Sequence, residues 1–215
     1  MKTRDVAMAG LATAVVFVIT RTLVVPIPQT RGFFNLGEAG IYAASVLFGP
    51  LVGALAGGVG SALADLSLGY AQYAPFTLVI KGLEGAVVGL IARGVHQRLW
   101  VLGGLAGAAG AAWLLTLNAW PVRVTGAVLL VVAAAGLGLV RRARDRALVG
   151  RLGGMLCGGT VMVSGYFVVQ AFVLGLGVPA ALVEVPYNIV QVVVGVIVGV
   201  AVSVATARGL PAPSS

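Results

Sequence analysis

Apolar runs long enough to cross a bilayer recur along this 215-residue chain. One of them reads APFTLVIKGLEGAVVGLIARG, from Ala74 to Gly94. A helix rises about 1.5 Å per residue, so about 20 apolar residues span the hydrocarbon core. The runs are continuous. Barrel strands would instead alternate apolar and polar residues over about ten positions. A backbone in hydrocarbon must satisfy its own hydrogen bonds, and a continuous apolar run does so as a helix. Composition agrees, with 60% hydrophobic and 9% charged residues. A soluble domain carries about 25% charged residues. The sequence therefore reads as an all-α integral membrane protein.

The runs predict eight helices, at about 6–25, 37–48, 50–69, 75–93, 100–119, 124–140, 153–175 and 183–207. Pro26-Ile27-Pro28 stops the first, and a polar loop, QTRGFFNLGE, follows. Gly49-Pro50 separates the second from the third. The second, at 37–48, is short for a full span. No linker divides the chain, so 1–215 is expected to form one membrane domain, with a disordered tail at 209–215. The first run carries Arg21 where a signal peptide would carry a small-residue cleavage site, so it is expected to remain as a helix.

Charge placement orients the spans. With the amino terminus in the cytoplasm, the inner side holds ten basic residues: Lys2, Arg4, Arg93, Arg98, Arg141, Arg142, Arg144, Arg146, Arg151 and Arg208. The outer side holds Arg21, Arg31 and Arg123. That asymmetry predicts cytoplasmic amino and carboxyl termini in the cell membrane. It also accounts for the net charge of +8 without a nucleic-acid partner. Cys157 and His96 are the only cysteine and histidine, so no internal disulfide and no cysteine or histidine metal cluster is expected. No G-x-x-x-x-G-K-[ST], G-x-S-x-G or H-E-x-x-H occurs, and the chain is not expected to be an enzyme or to hydrolyse a nucleotide itself.

Polar residues inside the spans carry the functional signal. Thr77, Lys81 and Glu84 fall at i, i+4, i+7, one face of a helix. Glu184, Asn188 and Gln191 repeat that spacing. Ser61 and Asp65 lie four apart in the third helix, and Tyr166 and Gln170 four apart in the seventh. In the predicted orientation Lys81 lies roughly 9 Å and Glu84 roughly 13 Å below the outer surface. All four stripes then occupy the same half of the membrane. A charge facing lipid at mid-membrane costs about 2.5–3.5 kcal/mol on insertion scales. The stripes should therefore face one another, around a cavity suited to a small polar ligand or as a structural network. Lys81 and Glu84 can also neutralise each other along their own helix.

Two sets of small residues have other expected uses. Gly53 and Gly57 form a G-x-x-x-G within GPLVGALAGGVG, which allows close helix packing. Ala7, Gly10 and Ala14 share a face of the first helix, for internal packing or for a partner helix.

The stretch FNLGEAGIYAASVLFGPLVGALAGGVGSALADLSLGYAQYAPFTLVIKGLEG resembles the substrate-binding S components of energy-coupling-factor (ECF) vitamin transporters. So does VMVSGYFVVQAFVLGLGVPAALVEVPYNIVQVVVG. The resemblance rests on Gly49-Pro50, the run from Gly60 to Asp65, Ala74 to Thr77, Lys81 to Glu84 and Glu184 to Asn188 taken together, and covers about 3–96 and 150–208. It implies a six-helix core, with core helices 1–4 in 3–98 and helices 5–6 in 150–208. The segment 99–147 is then an inserted helical hairpin, giving about eight membrane helices.

The resemblance also implies a role. S components capture a vitamin or precursor from outside. They work with a transmembrane coupling protein and two ABC-type ATPases, and are surrounded by membrane lipids. The loop at about 27–37 would close over the site, with Phe33, Phe34 and Asn35 as lid contacts. Lys81, Glu84, Asp65, Asn188, Gln191, Glu184, Thr77 and Gln170 would supply polar contacts, and Tyr70, Tyr73 and Phe34 would stack on a planar ring. Ala7, Gly10 and Ala14 would dock the coupling protein, although Gly10-x-x-x-Ala14 replaces the A-x-x-x-A frequent in the family. Two other readings stay open: a proton-coupled secondary transporter using Glu84 or Asp65, and an intramembrane enzyme using Lys81 and a carboxylate.

Overall fold

The computed structural model of the chain describes residues 3–94 and 146–209. The expected hairpin at 99–147 lies almost wholly outside the described residues, as does the tail beyond Gly209. What is described is almost entirely helical. The elements are α1 (Thr3–Thr22), β1 (Val25–Ile27), β2 (Gly32–Phe34), α2 (Gly37–Phe48), α3 (Pro50–Leu68), α4 (Ala74–Ala92), α5 (Arg146–Val168, continued as a π turn over Val169–Val173) and α6 (Val178–Gly209). Five of these helices, all but α2, are long and apolar enough to cross a membrane.

The bundle is turned inside out relative to a soluble one. Phe172, Ile197 and Leu11 are each more than 60% exposed, whereas Glu38, Glu84 and Gln170 are wholly buried. An apolar surface of this extent needs a non-aqueous surround, and lipid provides it.

The short α2 sits at the centre. At about 18 Å it does not cross the core. It is buried along most of its length through Gly37, Glu38, Gly40, Ile41, Tyr42, Ala44 and Ser45, and packs against α1, α3, α4 and α6. Its last carbonyls would be orphans in hydrocarbon. Gly49, with φ 87°, turns its N–H back to the Ser45 carbonyl, and the Arg93 guanidinium donates to the Phe48 carbonyl at 2.8 Å. Pro50 then opens α3 at a position that needs no N–H.

Glycines bring α3 and α4 into backbone contact. A methyl group on Gly57 would lie 2.5 Å from the Lys81 carbonyl oxygen, and one on Gly85 would overlap the Gly53 carbonyl. The G-x-x-x-G pair is thus a packing device, as its spacing predicts. α3 winds into a π turn over Ala56–Gly60, and α5 ends in another over Val169–Val173. Each widens the helix locally just before or at a buried polar residue, Ser61 and Asp65 in α3 and Gln170 in α5.

Helix limits differ from the sequence expectation mainly in the last two. α5 begins at Arg146 rather than about 153, and α6 begins at Val178 rather than about 183. Arg151 holds the start of α5 against α6 by donating to the Ser203 carbonyl at 3.1 Å. Pro179 fits the first turn of α6, where its missing N–H is harmless. The larger correction concerns the loop after α1, read from the sequence as irregular. It folds as a β-hairpin, β1 antiparallel to β2, with Val25 opposite Phe34 and Ile27 opposite Gly32. Among the described residues the fold is therefore all-α except for one small hairpin.

Candidate functional site

Six elements converge beneath that hairpin. Chain connectivity puts the end of α1, both strands, the start of α2, the end of α3, the start of α4, the end of α5 and the start of α6 at one end of the bundle. The cavity there is lined by Gly32, Phe33 and Asn35 from the hairpin region and Asp65 from α3. Tyr73, Thr77 and Lys81 come from the start of α4, Tyr166 from α5, and Glu184, Asn188 and Gln191 from α6. Its volume is about 30 Å³, room for one or two water molecules.

The floor of the cavity is an ion cluster. The Lys81 ammonium donates to Glu38 Oε1 on α2 and lies 3.3 Å from Glu84 Oε2 on its own helix. Tyr42, one turn along α2 from Glu38, donates its hydroxyl to Glu84 Oε1 at 3.0 Å. Lys81 Nζ also stands 5.7 Å from the centre of the Tyr166 ring. Three charges and a phenol from two helices thus solvate one another where water cannot. Close approach is needed for this. A methyl group on Gly195 of α6 would lie 2.7 Å from Glu38 Cβ.

The walls are an amide and hydroxyl network. Gln191 Nε2 donates to Asn188 Oδ1 at 2.9 Å, and Gln191 Oε1 accepts the Asn35 N–H at 3.3 Å. Asn35 Oδ1 in turn accepts the Gly37 N–H at 2.8 Å, satisfying the start of α2. Thr77 Oγ1 and Tyr166 Oη are 2.9 Å apart. α6 contributes through Glu184, Asn188 and Gln191 at i, i+4, i+7, the face predicted from spacing, and all three are buried.

The roof is the hairpin. Thr30 closes its turn by accepting the Gly32 N–H on Oγ1, with Arg31 in the left-handed region at φ 53°. The Tyr73 hydroxyl donates to the Thr30 carbonyl at 2.5 Å, and Gln72 reaches the Arg31 carbonyl at 3.4 Å. Phe33 packs on Tyr70 with ring centres 4.5 Å apart. Burial, with the nearby Glu184 carboxylate, pushes the Tyr73 phenol up to about 12, so it stays a donor at neutral pH. A methyl group on Gly32 would meet Glu184 Oε2 at 2.9 Å, so the glycine lets the roof lie close on that carboxylate.

Of the residues expected from sequence, Lys81, Asp65, Asn188, Gln191, Glu184, Thr77, Asn35 and Tyr73 come together around the cavity. Glu84 lies beneath it, held by Lys81 and Tyr42. Gln170 is fully buried outside the lining, and Tyr70 stands behind Phe33. Phe34 ends β2 away from the cavity, and Phe33 occupies the lining in its place. Sequence reasoning missed Glu38 and Tyr42. They lie four apart on α2, the same signal that marked the other stripes, on a helix too short to be read as a span. Ala7, Gly10 and Ala14 lie on the exposed side of α1, and nothing stands within 4 Å of a methyl group placed on Gly10.

Comparison with known proteins covers the part of this site that lies before residue 103. Residues 1–102 match the family model described as ECF-type riboflavin transporter, S component. An uncharacterised protein of Pyrococcus woesei is 54% identical over 79 residues, 37% of this chain and 53% of that protein. The thiamine precursor transporter HmpT of Lactococcus lactis is 36% identical over 88 residues, 40% of this chain and 53% of its own. A UPF0397 protein of Streptococcus pneumoniae is 32% identical over 93 residues, 43% of this chain and 50% of its own. The chain thus spans about half the length of the curated relatives it matches. Over its first 102 residues it is similar to the S components of ECF-type transporters, the resemblance its own motifs carry.

Proposed function

We propose that this chain is the substrate-capture subunit of an ECF-type importer for a vitamin or vitamin precursor. The carrying observation is the convergence of polar side chains from α3, α4, α5 and α6 on one small cavity in an otherwise apolar bundle. Charges and amides in a membrane are costly unless they face a shared interior, and they mark ligand pathways there. The matched relatives support a small heteroaromatic cargo, and riboflavin, thiamine and the pyrimidine precursor of thiamine are the first compounds to assay.

The cavity of about 30 Å³ is far below the roughly 300–1,000 Å³ that encloses a drug-sized ligand. Entry therefore requires the β1–β2 hairpin to lift from Tyr73 and Tyr70. Ligand enters from the side opposite the Arg93 and Arg151 end, and the excess of basic residues supports reading that end as cytoplasmic. Transport draws on a coupling protein and two ATPases. The groove formed by Gly10, Thr13, Ala14 and Phe17 of α1 with Leu63, Leu66 and Ser67 of α3 is the docking face for the coupling protein.

Mass spectrometry of small molecules released from the purified chain tests this reading, with calorimetric titration of the released compound. Asn188→Ala removes a partner of Gln191 at the cavity wall and should weaken binding about tenfold without unfolding the bundle. Wild-type affinity in that variant would place the ligand elsewhere. The second reading, a self-sufficient proton-coupled transporter, draws on Asp65, a buried carboxyl in the cavity wall with no cation paired to it among the described residues. Uptake that stops with an uncoupler but continues without partner ATPases would favour it.

A further inference from the structure

We infer that the pocket selects a ligand that carries positive charge, with Asp65 and Glu184 as its counter-ions. The inference rests on the reading of this cavity as the ligand site and names the ligand's chemistry.

Charge arithmetic at the site is lopsided. Four of the six acidic residues in the chain, Glu38, Asp65, Glu84 and Glu184, are buried around or beneath the cavity, and the buried cation there is Lys81. Lys81 is already committed to Glu38 and Glu84 on the floor. Asp65 and Glu184 are 5% and 4% exposed, line the cavity, and have no ion-pair partner among the described residues. Glu184 Oε2 has no hydrogen-bond partner there at all. The amides carry no charge to offset them, and their oxygens are engaged, Gln191 Oε1 by the Asn35 N–H, Asn35 Oδ1 by the Gly37 N–H and Asn188 Oδ1 by Gln191 Nε2. The charge left without a partner among the described residues is therefore that of two carboxyl groups.

The aromatic walls agree. Tyr73 and Tyr166 flank the same space with ring centres 6.4 Å apart, and ring faces attract cations. A neutral ring would bring the two buried carboxyl groups no counter-ion. A cationic ring, or one bearing a protonated amine, would pair them when the hairpin closes. Gly32 seats the hairpin directly on Glu184, so closure and charge pairing occur at the same carboxylate.

The test uses the full chain in detergent, titrated with thiamine, whose ring is permanently cationic, and with riboflavin, whose ring is neutral. Thiamine should bind the wild type more tightly than riboflavin. Glu184→Gln and Asp65→Asn should each weaken thiamine by about 30-fold or more, with little effect on riboflavin. Glu184→Asp, which keeps the charge, should recover much of the loss, and unchanged melting profiles would exclude unfolding as the cause. Tighter riboflavin binding, or thiamine binding indifferent to both isosteric variants, would overturn the charge inference. The pocket itself would still stand if Asn188→Ala weakened riboflavin. Failure of the wild type to bind either probe would count against the inference and the pocket together.

Discussion

Lys81 of α4 reaches across the bundle to Glu38 of α2 as well as along its own helix to Glu84. The contact ties the shortest helix, which does not span, to one that does, at the floor of the cavity. A pair three residues apart on one helix would be a local neutralisation. A bond between helices is a tertiary constraint.

Because of that bond, Lys81→Met should destabilise the protein rather than act on binding alone. It would leave Glu38 and Glu84 buried without their cation, and breaking one side of a buried pair costs about 3–5 kcal/mol. Thermal unfolding in detergent should show a large drop. The triple change Lys81→Met, Glu38→Gln, Glu84→Gln should recover part of it, since no carboxylate is then stranded. Wild-type melting of Lys81→Met would mean that the cluster contributes nothing to stability.

Gly85→Ala should be harmful despite its small size. The added methyl group would overlap the Gly53 carbonyl and force α3 from α4. Overpacking of this kind costs about 1–3 kcal/mol. Gly69→Ala provides a contrast, because Gly69 has open space around it but sits at φ 87°, so any loss there comes from backbone conformation. Reduced yield and melting temperature in Gly85→Ala would check the contact.

Tyr73→Phe should loosen the hairpin without altering the cavity's charges. It deletes the hydrogen bond to the Thr30 carbonyl, worth about 0.5–1.5 kcal/mol. Hydrogen exchange at Thr30 and Gly32 should quicken, and ligand release should accelerate by a similar factor of roughly 2–12. Unchanged exchange would show that Phe33 on Tyr70 holds the roof alone.

The same phenol gives a pH signature. Its pKa is raised from 10.0 to about 12 in the folded chain, chiefly by burial. Above pH 10 the unfolded chain loses this proton before the folded one does. Tyr73 therefore contributes fully below pH 10, and its contribution falls as pH rises toward 12. Melting curves across that window should converge for wild type and Tyr73→Phe; a constant gap would contradict the assignment.

Gly10→Leu should spare ligand binding and impair transport when the partners are present. The position faces outward with nothing nearby, so the bundle can accept the larger side chain. Unimpaired transport in reconstituted vesicles would exclude this face of α1 as the docking surface.

The sequence alone determined the class of fold, the approximate helix limits among the described residues, the packing role of the α3 glycines and the polar stripes on α4 and α6. Those follow from local periodicity and from the cost of polar groups in hydrocarbon, both of which act within a single helix. Only the tertiary structure decided that Glu38 and Tyr42 belong to the same cluster, because the helix expected at 37–48 meets its partners through burial among several neighbours, which its own spacing does not record. The hairpin likewise escaped sequence reading, since three-residue strands hold their shape through contacts with Tyr70, Gln72 and Tyr73, far along the chain. Which polar atoms remain unspent, Glu184 Oε2 above all, depends on partners drawn from several helices at once, and no spacing within one helix records that.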